Sequence, residues 1–300
     1  MIRNKIFLLL LTAGFVTSTW AKVNILTCEP EWAALATEIG GDEVKAASAT
    51  TGLQDPHHIQ ARPSLIARAR RADLLICTGA ELEIGWLPLL LRKGGNPKIQ
   101  AGQPGYFIAT NYVSLSGIPT VADRSTGDVH SQGNPHIQTD PRNLLPVADA
   151  LAERLSQIDP GHAAYFEQRR QAFHDRWVQL IAAWTQRAAP LHGKSIVVFH
   201  ESWPYLEDWL GLNQVGTLEP KPGIPPTSGH LSALLEQLKQ HPADLIIASA
   251  YQDPKPAKWL SSRTGIPAVS MPFTVGGTDR ADNLEGLYDD SISRLLAALQ

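Results

Sequence analysis

Three of the ten histidines stand in settings that suit metal binding. His57 lies in Asp55-Pro56-His57-His58, His136 in Asn134-Pro135-His136-Ile137, and His200 directly after the apolar run Ile196-Val197-Val198-Phe199. The first two fall in proline-bearing loops and the third at the carboxyl end of a strand. Open α/β sheets bind ligands beyond the carboxyl ends of their strands, and neutral imidazole is the commonest protein ligand for zinc. Three imidazoles from distant segments, converging between two lobes, make most of a tetrahedral site. Asp279, after the Gly276-Gly277-Thr278 turn, is the candidate fourth ligand. Taken singly, each histidine also reads as an ordinary surface or hydrogen-bonded residue, and the two glycines as a plain turn. His162, His174, His192 and His241 occupy helix or helix-end positions without ligand-rich neighbours.

The elements that must carry these residues alternate between strand and helix. Val23 to Thr27 reads as a strand, Glu31 to Ile39 as a helix stopped by Gly40-Gly41, and Val44 to Ala49 as a second strand. Pro63 to Ala72 reads as a helix, with proline where a missing N–H costs nothing. Asp73 to Cys77 is a third strand, and a helix is expected from about Leu82 to Leu91. The alternation returns with strands at Ser195 to Phe199, Leu245 to Ala248 and Ala268 to Met271. Helices are expected at Trp203 to Leu210, Leu231 to Gln240 and Asn283 to Leu299. Such alternation predicts parallel sheets flanked by helices, in two α/β units over 22–160 and 190–300. Between them, 161–189 places Tyr165, Phe166, Phe173, Trp177, Leu180, Ile181 and Trp184 at three- and four-residue steps. That is one face of a single long helix, a rigid rod rather than a flexible linker. A coiled-coil dimer is the alternative use of such a helix, but the spacing is irregular.

Composition bounds the function. The 300 residues are 43% apolar and 18% charged with a net charge of −3, which excludes disorder and leaves no basic excess for nucleic acid. Arg3 and Lys5, the apolar run Ile6 to Val16, and Thr19-Trp20-Ala21 have the order of a signal peptide over 1–21. Its removal leaves 24 basic against 29 acidic residues, a net charge of −5 on an exported chain. The two cysteines end the first and third strands. In a sheet ordered 2-1-3-4 those strands are neighbours, about 4.8 Å apart, a separation that permits a disulfide and equally two buried thiols.

At these residues the chain resembles the metal-specific (cluster 9) solute-binding proteins of bacterial ABC importers, in their zinc-binding branch. Asp55-Pro56-His57 with Arg62-Pro63-Ser64 is similar to the family's first metal loop, and Asn134-Pro135-His136-Ile137 with Asp140-Pro141 to its second. Ala72-Asp73-Leu74, Gly79-Ala80-Glu81-Leu82-Glu83 and Ile39-Gly40-Gly41-Asp42 fit the same family. The resemblance, from about Val23 to the C-terminus, implies two lobes joined by one long helix and a metal in the cleft. Carried over residue by residue, it implies His57, His136, His200 and Asp279 as ligands. His57 rather than His58 directly follows Asp-Pro. His200 falls where zinc members carry His and manganese members Glu, and Glu201 is next to it. The short region 122–133, with Asp128 and His130, reads either as an auxiliary metal contact or as a plain loop.

Three imidazoles and one carboxylate suit four-coordinate zinc. The resulting expectation is a periplasmic, monomeric receptor that is not an enzyme. It would carry Zn2+ as transported ligand to an ABC permease with its ATPase, with a metallochaperone as a further candidate partner. A manganese receptor of the same family is the alternative. A secreted zinc hydrolase is a weaker one, because Glu201-Ser202-Trp203-Pro204 lacks the second histidine of an HExxH helix. Nothing in the sequence points directly to a surface adhesin.

Overall fold

The computed structural model describes residues 21–119 and 127–300. The expected signal peptide lies, apart from Ala21, outside the described residues. Among them no helix is long and apolar enough to cross a membrane.

The first lobe is a four-stranded parallel sheet of order β2-β1-β3-β4, formed by β1 (Val23–Thr27), β2 (Val44–Ser48), β3 (Leu74–Cys77) and β4 (Tyr106–Ile108). Its helices are α1 (Pro30–Gly40), α2 (Pro63–Arg71), α3 (Leu87–Gly94) and α4 (Leu144–Ile158). The second lobe repeats the plan with order β6-β5-β7-β8: β5 (Ser195–Val198), β6 (Asn213–Thr217), β7 (Leu245–Ser249) and β8 (Ala268–Met271), all parallel. Around it stand α6 (Pro204–Leu210), α7 (Ser228–Leu238), α8 (Lys255–Thr264) and α9 (Leu284–Ala298). The central strands β3 and β7 are buried at every position, as both-face coverage demands.

One expected helix starts later than its composition suggests. The helix begins at Leu87, not near Leu82, because residues 79–86 form turns. Gly79, Ala80 and Glu81 all have positive φ, at 89°, 46° and 68°. Glu83 holds that conformation by accepting hydrogen bonds from the backbone N–H of Thr78 (2.7 Å) and Gly79 (3.1 Å).

Helix α5 (Ala163–Arg187) runs between the lobes. At 1.5 Å per residue its 25 residues span roughly 37 Å. Phe166, Phe173, Trp177 and Trp184 are its buried face. The Trp177 indole donates to the Pro141 carbonyl (2.8 Å) before α4, and that of Trp184 to Asp289 (2.7 Å) on α9. Arg176 reaches both lobes, pairing with Glu38 of α1 and Glu285 of α9 at 2.9 Å each. The apolar cluster that includes these aromatics is continuous from Ile25 and Leu35 in the first lobe to Ile247 and Leu287 in the second. The rod is therefore embedded in one core rather than suspended between two. Cys28 and Cys77 form a disulfide with a Cα separation of 4.8 Å, joining the ends of β1 and β3.

Candidate metal centre

The site lies beyond the carboxyl ends of both sheets. His57 follows β2, His136 follows β4, and His200 stands two residues past β5. All three are buried, with His136 at 0% exposure. Each offers a nitrogen to a group in which all donor atoms lie within 4.8 Å of one another. Three chain segments far apart in sequence thus deliver three imidazoles to one point.

Each ring is positioned by its own neighbours. The Asp55 Oδ1 lies 2.8 Å from Nδ1 of His57 and accepts its backbone N–H at 3.0 Å. Burial works against the Asp55 carboxylate, but hydrogen bonding and charge from His57 outweigh it and hold its pKa below the ordinary value. Nδ1 of His200 lies 2.7 Å from Oε2 of Glu219, which also accepts the N–H of Gly223 at 2.8 Å. These carboxylate–imidazole pairs fix the tautomer and leave Nε2 of each ring for an ion. His136 is held through its backbone: its N–H donates to Asn134 (3.0 Å), whose amide donates to the Glu201 carbonyl (2.7 Å). Its ring meets Phe273 edge-on at 5.2 Å.

The chemistry of the donors fits a cation. His57 Nε2 and both ring nitrogens of His136 are buried without a hydrogen-bond partner among the described residues. Unsatisfied buried nitrogen costs about 1–3 kcal/mol per group, and convergence of several is explained by a shared ligand. Burial, then the neighbouring rings of His57, His200 and His130, drive the His136 pKa well below its ordinary value, so its lone pair is available at neutral pH.

Asp279 is not brought into this group. It is exposed on the turn 276–281, which Thr278 ties to α9 through a 2.6 Å hydrogen bond to Asp290. That turn packs on the first metal loop, where a side chain at Gly52 would collide with the backbone of Gly276 and Gly277. His58 is exposed and 3.9 Å from Asp128. Residues 120–126 of the auxiliary loop lie outside the described residues, while His130 stacks on His57 with ring centroids 5.5 Å apart. Sequence reasoning missed Glu219: an acid 19 residues beyond its imidazole, in a proline-flanked loop, carries no local signal.

The profile of the family described as ZnuA, "Zinc-uptake complex component A periplasmic", matches residues 25–299. The manganese ABC transporter substrate-binding lipoprotein PsaA of Streptococcus pneumoniae is 22% identical over 260 residues, covering 86% of this chain and 82% of that protein. The high-affinity zinc uptake system protein ZnuA of Yersinia pestis is 25% identical over 215 residues, 64% of each chain. A crystal structure of ZnuA superposes with a TM-score of 0.71 at 21% identity, covering 91% of this chain and 99% of the other, and shares its fold. Members of this family are substrate-binding receptors rather than enzymes. The chain therefore belongs to the ZnuA family of metal-specific periplasmic solute-binding proteins that serve ABC importers.

Proposed function

We propose that within this family the chain is a zinc receptor, capturing Zn2+ between its lobes with His57, His136 and His200 and delivering it to an ABC permease. The observation that carries the reading is the all-nitrogen donor group. Its three imidazoles have no carboxylate among them, and the nearby Asp55 and Glu219 are engaged behind the rings. Imidazole-rich four-coordinate sites suit zinc, whereas manganese prefers harder, oxygen-rich sets. We assign the first lobe to 22–160, the linking helix to 161–189 and the second lobe to 190–300. The receptor acts as a monomer after removal of a signal peptide over 1–21, and a metallochaperone is a candidate donor of the ion. Asp279, the fourth ligand that the resemblance implies, stands outside that donor group.

Manganese is the second reading, favoured by the likeness to PsaA. Competition with a chromophoric chelator decides between the two. Zinc should bind tighter than manganese by orders of magnitude. His136→Ala should abolish most of that affinity while His174→Ala, on the exposed face of α5, leaves it unchanged. Equal losses from both variants would remove the assignment.

A further inference from the structure

We propose that His130 supplies the fourth ligand of the metal centre, carried there by a strap, residues 127–131, that is fastened to both lobes. The inference rests on the receptor reading above and concerns how that site is completed.

The His130 ring stacks on His57 at 5.5 Å, with 30° between planes, and stands edge-on to His136 at 6.1 Å. Its Nε2 is buried without a hydrogen-bond partner among the described residues, the same condition as Nε2 of His57 and both nitrogens of His136. An imidazole placed only to fill space would turn that nitrogen to water or a carbonyl, since leaving it unsatisfied is costly. With His57 and His136, His130 is the third ring of this cluster that keeps a buried nitrogen without a partner among the described residues.

The strap shows how the ring is held. On the first-lobe side, Ser131 donates from its backbone N–H (2.8 Å) and its hydroxyl (2.9 Å) to the two carboxylate oxygens of Glu81. Glu81 sits in the left-handed region at φ 68°, a conformation uncommon for a residue with a side chain. On the second-lobe side, the Asp128 N–H donates to the Pro222 carbonyl at 2.9 Å. A side chain at Gly127 would collide with the same carbonyl, so the strap lies flat on Pro222. His130 is thus suspended between two anchors, over the cleft. The strap also stands between two cavities, one of about 690 Å3 beside His57, His58 and Glu81 and one of about 320 Å3 beside His136, His200 and Glu207.

His130 lies outside the 4.8 Å donor group, so ion binding draws its ring inward and closes the strap over the metal. A fourth imidazole makes the set wholly nitrogen. That sharpens preference for zinc over manganese more than a carboxylate at the same position would.

The test uses the mature chain with zinc and, as a spectroscopic probe, Co2+. His130→Ala should weaken zinc by more than the roughly 10–100-fold that loss of an outer-shell partner brings, and should alter the Co2+ ligand-field bands. Asp279→Ala should leave both unchanged. Ser131→Ala loosens an anchor without removing a ligand, so it should weaken zinc less and preserve the Co2+ spectrum. Wild-type affinity and spectrum in His130→Ala, or transfer of both losses to Asp279→Ala, would overturn the proposal. The imidazole count from X-ray absorption of the zinc-loaded wild type needs no variant to fold: four supports the proposal, and three or fewer overturns it. Failure of the wild type to bind zinc at all would instead strike the receptor reading.

Discussion

Oε2 of Glu219 lies 2.7 Å from Nδ1 of His200, both side chains buried, and the same carboxylate accepts the N–H of Gly223. The loop after β6 therefore orients a ring that belongs to the end of β5. Outer partners of this kind typically contribute 10–100-fold to metal affinity. Glu219→Ala should weaken zinc by about that factor, and Glu219→Gln less, since an amide oxygen can still accept the Nδ1 proton. Chelator competition on both variants checks the order. An unchanged affinity in Glu219→Ala would mean the ring is oriented by packing alone.

The aromatic seam sets stability. Trp177 packs against Phe173 (4.9 Å), Trp184 (5.2 Å) and Tyr288 (5.6 Å), so it joins the rod to the helix α9 of the second lobe. Trp177→Ala should cost about 3–5 kcal/mol, the usual range for truncating a large buried aromatic. Arg176→Ala should cost no more than about 1 kcal/mol, because its ion pairs are partly exposed. Urea melts of the metal-free protein would measure both.

Metal-free stability should fall as pH rises from about 6.5 to 8. Burial raises Glu31 and Glu83 to about 7, and raises Glu29 well above its ordinary value with help from Glu83 and Glu31. In the unfolded chain these acids are ionised throughout that window, near pKa 4.3. The folded state then holds more protons, so its advantage is present at the acid end and lost as pH passes about 7. Glu207, raised to about 7 by burial and then by Glu201, acts in the same direction. Each acid near 7 loses about 0.8 kcal/mol across this window, so the combined loss is about 2–4 kcal/mol. Below pH 6.5 the sign reverses for His130, whose pKa burial lowers to about 4, so the window must be kept above that. Glu31→Gln and Glu83→Gln should each reduce the slope, with the remainder carried by Glu29 and Glu207, and an undiminished slope in both variants would refute the assignment.

Loading should move the lobes little. The rod carries no glycine or proline within Ala163–Arg187 and is packed into a core shared by both lobes. Sharp kinks fall mostly at proline, at Gly/Ser pairs or at π-bulges, and Ala163–Arg187 is α-helical throughout without glycine or proline. Solution scattering should show nearly equal radii of gyration with and without zinc, while thermal stability rises by linkage. A drop of several per cent in radius would demand a hinge.

Much of this arrangement was legible in the residues. Proline-bearing loops and an apolar strand end marked His57, His136 and His200, and aromatic periodicity marked the rod, because burial on one helix face leaves a regular imprint. What stayed hidden depends on tertiary contacts. Residues 79–86 look helical in composition, yet Glu83 locks them into turns by capping backbone N–H groups. The strands β4 and β6 lie at sheet edges and are short, so they carry little periodic signal. Whether Cys28 and Cys77 pair depended on the strand order, which brings their Cα atoms to 4.8 Å. Glu219 is recognisable only through what the fold places beside it, whereas the sequence leaves His130 open between an auxiliary metal contact and a plain loop.

The central claim, a zinc site built on three imidazoles, is met most directly by metal analysis of the receptor after equilibration with equal concentrations of zinc and manganese. One zinc per chain and little manganese is the predicted result, with zinc retention lost in His57→Ala, His136→Ala and His200→Ala. Manganese in the site at equal or greater occupancy, or zinc held undiminished by all three variants, would contradict it.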